Sequence, residues 1–182
     1  MMKRGWGLFM LVLCLCMGCG SGNIHVEDEE SGFRDDVSAK VLVEAVASEL
    51  GDEYWADMEL TPEYLEDWYG VSSDLYEEFY GQTPMISANV DALIVIKAKA
   101  EETEKVEEAL TAYREQLVAD TMQYPMNIPK IQASVVKTYG NYICFVQLGG
   151  SMNDQQEEEA AMEACIDVNE QALSVIQKEL TK

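Results

Sequence analysis

Apolar side chains recur at helical spacing in four stretches of the chain and gather into β-like runs in four others. In residues 37–50, Val41, Leu42, Ala45, Val46 and Leu50 fall on one side of a helix. Asp35 or Asp36 is placed to cap its first N–H groups, and Gly51 suits a left-handed exit. Thr61-Pro62-Glu63 opens a short helix to about residue 68, because proline at the first helical position forfeits no hydrogen bond. Residues 101–122 predict a third helix with the stripe Val106, Leu110, Tyr113, Leu117 and Val118, closed by Tyr124-Pro125. The last helix is predicted from about residue 154 to the end, capped by Asn153 and apolar along Met162, Ile166, Asn169, Leu173, Ile176 and Leu180.

Between these lie the strands. Residues 92–98 read ALIVIKA, a β-branched run. Residues 131–139 and 142–148 form two strands around Gly140-Asn141, a two-residue loop with glycine first that suits a primed hairpin turn. Residues 75–85 fit either a strand or a helix; their aromatic content and Pro84 favour an edge strand. The order is α-α-β-β-α-β-β-α. It predicts an α+β fold, with a small mixed or antiparallel sheet of about four strands and helices on one face.

The N-terminus follows a different pattern. Lys3 and Arg4 precede an apolar run from Leu8 to Met17, then Gly18 and Cys19. The run has about 10 residues, half the roughly 20 needed to span hydrocarbon, and matches the core of a signal peptide. The small residue before Cys19 resembles a bacterial lipobox, which implies cleavage after residue 18 and a lipid on the Cys19 thiol. Residues 19–34 are rich in Gly, Ser and acidic side chains and read as a flexible acidic tether. Three segments are therefore expected: a leader (1–18), a lipid-anchored tether (19–34) and one extracytoplasmic domain (35–182). The anchor would hold that domain on the outer face of the cell membrane.

Charge narrows the partners. The chain has 12 basic and 34 acidic residues, a net −22. Without Lys3 and Arg4 it would carry −24. Nucleic acid is excluded as a partner, because phosphate binding needs Lys and Arg to displace counterions. Direct adhesion to anionic lipid is disfavoured for the same reason.

Several pieces resemble one family. They are VDALIVIKAK at 90–99, EKVEEAL at 104–110, Tyr124-Pro125, the Tyr139-Gly140-Asn141-Tyr142 hairpin, and EYWADMELTPEYLEDWYGV at 53–71. With the lipobox-like start, they are similar to a family of uncharacterised lipoproteins from Gram-positive anaerobes, a domain of unknown function. That resemblance implies a lipid-anchored envelope protein, and it implies no activity and no functional residues.

Candidate chemistry is sparse. Eight aromatics between Tyr54 and Tyr80 crowd into 27 residues. Trp55, Trp68, Tyr69 and Tyr80 are candidates for stacking on sugars or peptides, against the alternative that the rings pack a core. Cys144 and Cys165 are either a disulfide, which export would permit, or two buried thiols. The carboxylate pairs Glu66-Asp67, Glu77-Glu78 and Glu101-Glu102 and the run Glu157 to Glu159 lack the alternating rhythm of a calcium loop. With His25 the only histidine, no zinc set is expected, and no cofactor motif occurs. The expected function is a binding or adaptor module at the cell envelope, meeting a wall component, a peptide or another envelope protein. The alternatives are an envelope-polymer hydrolase and a self-associating structural module.

Overall fold

The computed structural model describes residues 32–86, 88–149 and 157–182. The leader, Cys19, the tether up to residue 31, Asn153 and Asp154 lie outside them. Helix α1 (Ala39–Leu50) is capped by the Ser38 hydroxyl, which accepts from the Val41 N–H at 3.3 Å. Asp35 and Asp36 do not cap it; Asp36 instead pairs with Arg34 at 2.8 Å. The second cap comes from the sheet, where the Glu78 carboxylate accepts from the Ala39 N–H at 2.9 Å. Helix α2 (Pro62–Tyr69) starts on the Thr61 hydroxyl and ends on Gly70 at φ 72°, a left-handed backbone that suits glycine.

One antiparallel sheet follows, in the order β1-β2-β3-β5-β4. Its strands are β1 (Met58–Glu59), β2 (Tyr76–Thr83), β3 (Ala92–Ala98), β4 (Val135–Tyr139) and β5 (Tyr142–Gln147). β2 is an edge over most of its length, since β1 pairs only with Gln82 and Thr83. The β4–β5 hairpin turns through Gly140 at φ 60°, as a primed turn requires. Helix α3 (Thr103–Ala119) leads to α4 (Ile128–Ala133), and α5 (Glu158–Leu180) closes the chain.

The α+β class and the succession of main elements match the expectation, with three differences. The sheet has five strands, because the two-residue β1 adds one. Residues 131–133 belong to α4, not to a strand: Pro129 stands in its first turn, and Arg114 holds the carbonyls of Gln132 and Ser134 at 3.2 and 2.6 Å. The helices cover both faces of the sheet. Leu93, Val95, Cys144 and Val146 pack with α1 and α5, while Ile94, Ile96, Ile143 and Phe145 pack with α2 and α3. The central strands β3 and β5 are apolar on both sides, and a sheet apolar on both sides must be covered twice.

On α5 the buried line runs through Ala161, Cys165, Asn169, Ala172, Ile176 and Leu180, and Ile166 points outward. Asn169 is buried because its side chain accepts from the Leu148 N–H and donates to the Ala133 carbonyl, each at 2.9 Å. Among the described residues no helix is long and apolar enough to cross a membrane.

Candidate functional site

At the end of the sheet where β2 runs into β3, three connections leave a cleft of about 530 Å³. Tyr54 and Trp55 come from the segment after α1, Pro84, Met85 and Ile86 from the β2–β3 loop, and Met126 from the turn before α4. The size suits a small ligand or a few side chains. Trp55 is 46% exposed, Met85 77%, Ile86 69% and Met126 50%. Asp52 and Asp57 stand at the rim.

The walls use their own polar atoms. The Trp55 indole N–H donates to the Asp52 carbonyl at 3.1 Å, and the Tyr54 hydroxyl donates to Gln82 at 2.9 Å. Burial pushes the Tyr54 phenol pKa well up, with the charges of Tyr80 and Asp91 adding to it. The Met85 N–H leans on the Asp57 carboxylate at 3.4 Å.

Behind Met85 and Ile86 the loop is stapled to the body. Asn127 donates to the Ala88 carbonyl at 3.1 Å, Gln147 to the Val90 carbonyl at 2.5 Å, and Thr83 to the Asp91 carbonyl at 3.0 Å. The Lys130 ammonium reaches Asn89 Oδ1 at 3.1 Å and Asp91 Oδ1 at 2.7 Å. Both members of the ion pair are buried. Burial raises the Asp91 pKa more than Lys130 and Asn89 lower it, so the pair sits in a poorly solvated place. One Asp91 oxygen, Oδ2, has no hydrogen bond among the described residues.

Of the four aromatic candidates, only Trp55 lines the cleft. Trp68 is 64% exposed and stacks on Tyr64 at 5.8 Å, on a helix packed against the other sheet face. Tyr69 is 4% exposed and wedged against Tyr113 at 4.3 Å and Phe145 at 5.8 Å, which makes it a core residue. Tyr80 is half-buried beside α1, with the Lys40 ammonium 5.2 Å from its ring. The four therefore form no common platform.

Cys144 and Cys165 are thiols, not a disulfide, and both are buried. Burial pushes Cys144 up to about 12 and Cys165 up to about 11, the latter eased by Lys130 and raised by Asp91. Three of these carboxylates are drawn into local structure: Glu77 pairs with Lys97 at 3.1 Å, Glu102 with Lys105 at 2.5 Å, and Glu78 caps α1. Among the described residues no three of His, Cys, Asp and Glu gather to hold a metal ion.

Met85, Ile86 and Met126, which build most of the apolar wall, were not singled out by sequence. The signal for them is apolar side chains in connections, beside Pro84 and Pro125, where polar residues are the rule.

Fold and cleft together define a three-layer α+β domain with an apolar opening at one end of its sheet. The chain belongs to the family described as a domain of unknown function (DUF4358), whose model matches residues 50–148. That span holds the whole cleft and all five strands, and it leaves out α1 and α5. Neither a curated protein nor a solved structure matches the chain.

Proposed function

We propose that this protein is a lipid-anchored extracytoplasmic binding module of the lipoprotein kind found in Gram-positive anaerobes. It is held through Cys19 and meets its partner in the cleft beside Trp55. The observation that carries the binding reading is an apolar tip exposed at the mouth of the cleft. Met85 and Ile86 stay exposed, while Lys130, Asn127 and Gln147 hold the far end of the loop, at Ala88, Val90 and Asp91. Exposed apolar groups in a cluster mark an interaction surface. Pre-organisation also lowers the entropy cost of binding. The location rests on the leader and the Gly18-Cys19 junction.

Two experiments test the two halves. Cys19→Ala is expected to release the protein from membranes or stop its processing; unchanged size and membrane retention would overturn the anchor. A photo-crosslinking side chain at position 86 is expected to capture a discrete envelope component in living cells, and one at exposed Val118 is not. Equal capture at both positions would remove the cleft as the binding surface.

A further inference from the structure

Resting on that reading of the cleft, we infer that its ligand is a polypeptide segment presenting apolar side chains flanked by Lys or Arg. Three properties of the walls point there.

The first is what the walls lack. A sugar needs a partner for each hydroxyl it buries. Here the Trp55 N–H is taken by the Asp52 carbonyl and the Tyr54 hydroxyl donates to Gln82. Asn89 Oδ1 is shared by the Lys130 ammonium and the Asp91 N–H. Apart from the Asp52 and Asp57 carboxylates at the rim, what remains for a ligand is mainly apolar surface.

The second is charge. Among the described residues the lining holds Asp52 and Asp57 and no basic side chain, and Glu53 and Glu59 stand exposed in the same stretch. The whole chain carries −22. An anionic amphiphile, or a second copy of this chain, would bring its own negative charge to this rim. A cationic segment would be steered to it. The third is the side-chain type. Two methionines line the opening, and their unbranched thioethers adapt to varied apolar partners.

The test uses the full chain embedded in phosphatidylcholine nanodiscs, with empty nanodiscs as the reference. Three dye-labelled peptides share one apolar sequence and differ only in Lys, Ser or Glu flanks, and binding is read by fluorescence anisotropy. At low salt the Lys-flanked peptide is expected to bind about tenfold tighter than the Glu-flanked one, as two exposed charge pairs would give. The gap should narrow at 300 mM salt over a Debye length of ~6 Å. Asp52→Lys with Asp57→Asn should abolish the preference, and Ile86→Glu should weaken all three peptides. Circular dichroism checks that each variant is folded. Three equal affinities would overturn the cationic ligand while leaving the cleft intact, provided Ile86→Glu still weakens binding. Affinities untouched by Ile86→Glu would overturn the cleft itself. Failure of all three peptides to bind would reject the polypeptide class, and the crosslink at position 86 would still judge the cleft independently.

Discussion

Lys130 is the residue on which the end of the sheet depends. Its stem lies under Gly149, where a methyl group would come within 2.7 Å of Lys130 Cγ and Cε and 3.0 Å of Cys165 Sγ. Its ammonium binds Asp91 at 2.7 Å. A buried pair of this kind adds little net stability, yet removing one partner leaves a charge stranded. Lys130→Met is therefore expected to cost about 3–5 kcal/mol in urea unfolding. Adding Asp91→Leu should recover much of that loss, because neither member of the pair is then left buried without the other. A double variant as unstable as the single one would show that the pair is not the source of the effect. Nothing in local sequence marks Lys130. It lies 39 positions from Asp91, and a lysine between Pro129 and Ile131 reads as a surface residue until the fold brings the carboxylate to it.

At the scale of elements, α2 shows what periodicity reveals and what it leaves open. Leu65 and Tyr69 share one side of this helix, and Tyr64 and Trp68 share the neighbouring side. Both sides are apolar, so spacing alone does not say which faces inward. The sheet decides: Leu65 and Tyr69 pack on Ile94, Ile96 and Phe145, and Trp68 is left in water. Tyr69→Ala should cost about 3–5 kcal/mol, as large-to-small changes in cores do. Trp68→Ala should stay within about 0.5 kcal/mol. Equal losses measured by thermal unfolding would contradict this packing.

The same limit runs through the other elements. β3 was legible because seven residues of ALIVIKA leave no alternative, and α3 because its stripe is long. α4 was not, because six residues opening on Ile-Pro are too short to show a period. The cleft was only half legible. Trp55 belongs to a conspicuous aromatic cluster, but Met85 and Met126 meet only through three connections that local pattern does not join.

For the molecule as a whole, the two-sided core holds thiol and phenol protons to a higher pH than the unfolded chain does. Cys144 lies on β5, on the sheet face covered by α1 and α5, and Cys165 lies on α5. Their thiols are pushed up from 9.0 to about 12 and about 11, and Tyr139 from 10.0 to about 12, in each case chiefly by burial. The sign follows from the proton count. Above pH 9 the unfolded chain sheds thiol protons that the folded chain keeps, so the folded state holds more protons and stability falls as pH rises. These groups therefore cost nothing below about pH 8. Above pH 9 each thiol, and above pH 10 the Tyr139 phenol, lowers stability by about 1.4 kcal/mol per pH unit until its own folded value is reached. Urea midpoints should be flat from pH 7 to 8, turn down near 9 and steepen above 10, where the buried and half-buried phenols, Tyr139 and Tyr54 among them, join. Cys144→Ala should give a shallower limb even though it lowers the plateau through the cavity it leaves. A limb with the same slope in that variant would mean that the buried thiol is not what alkali acts on.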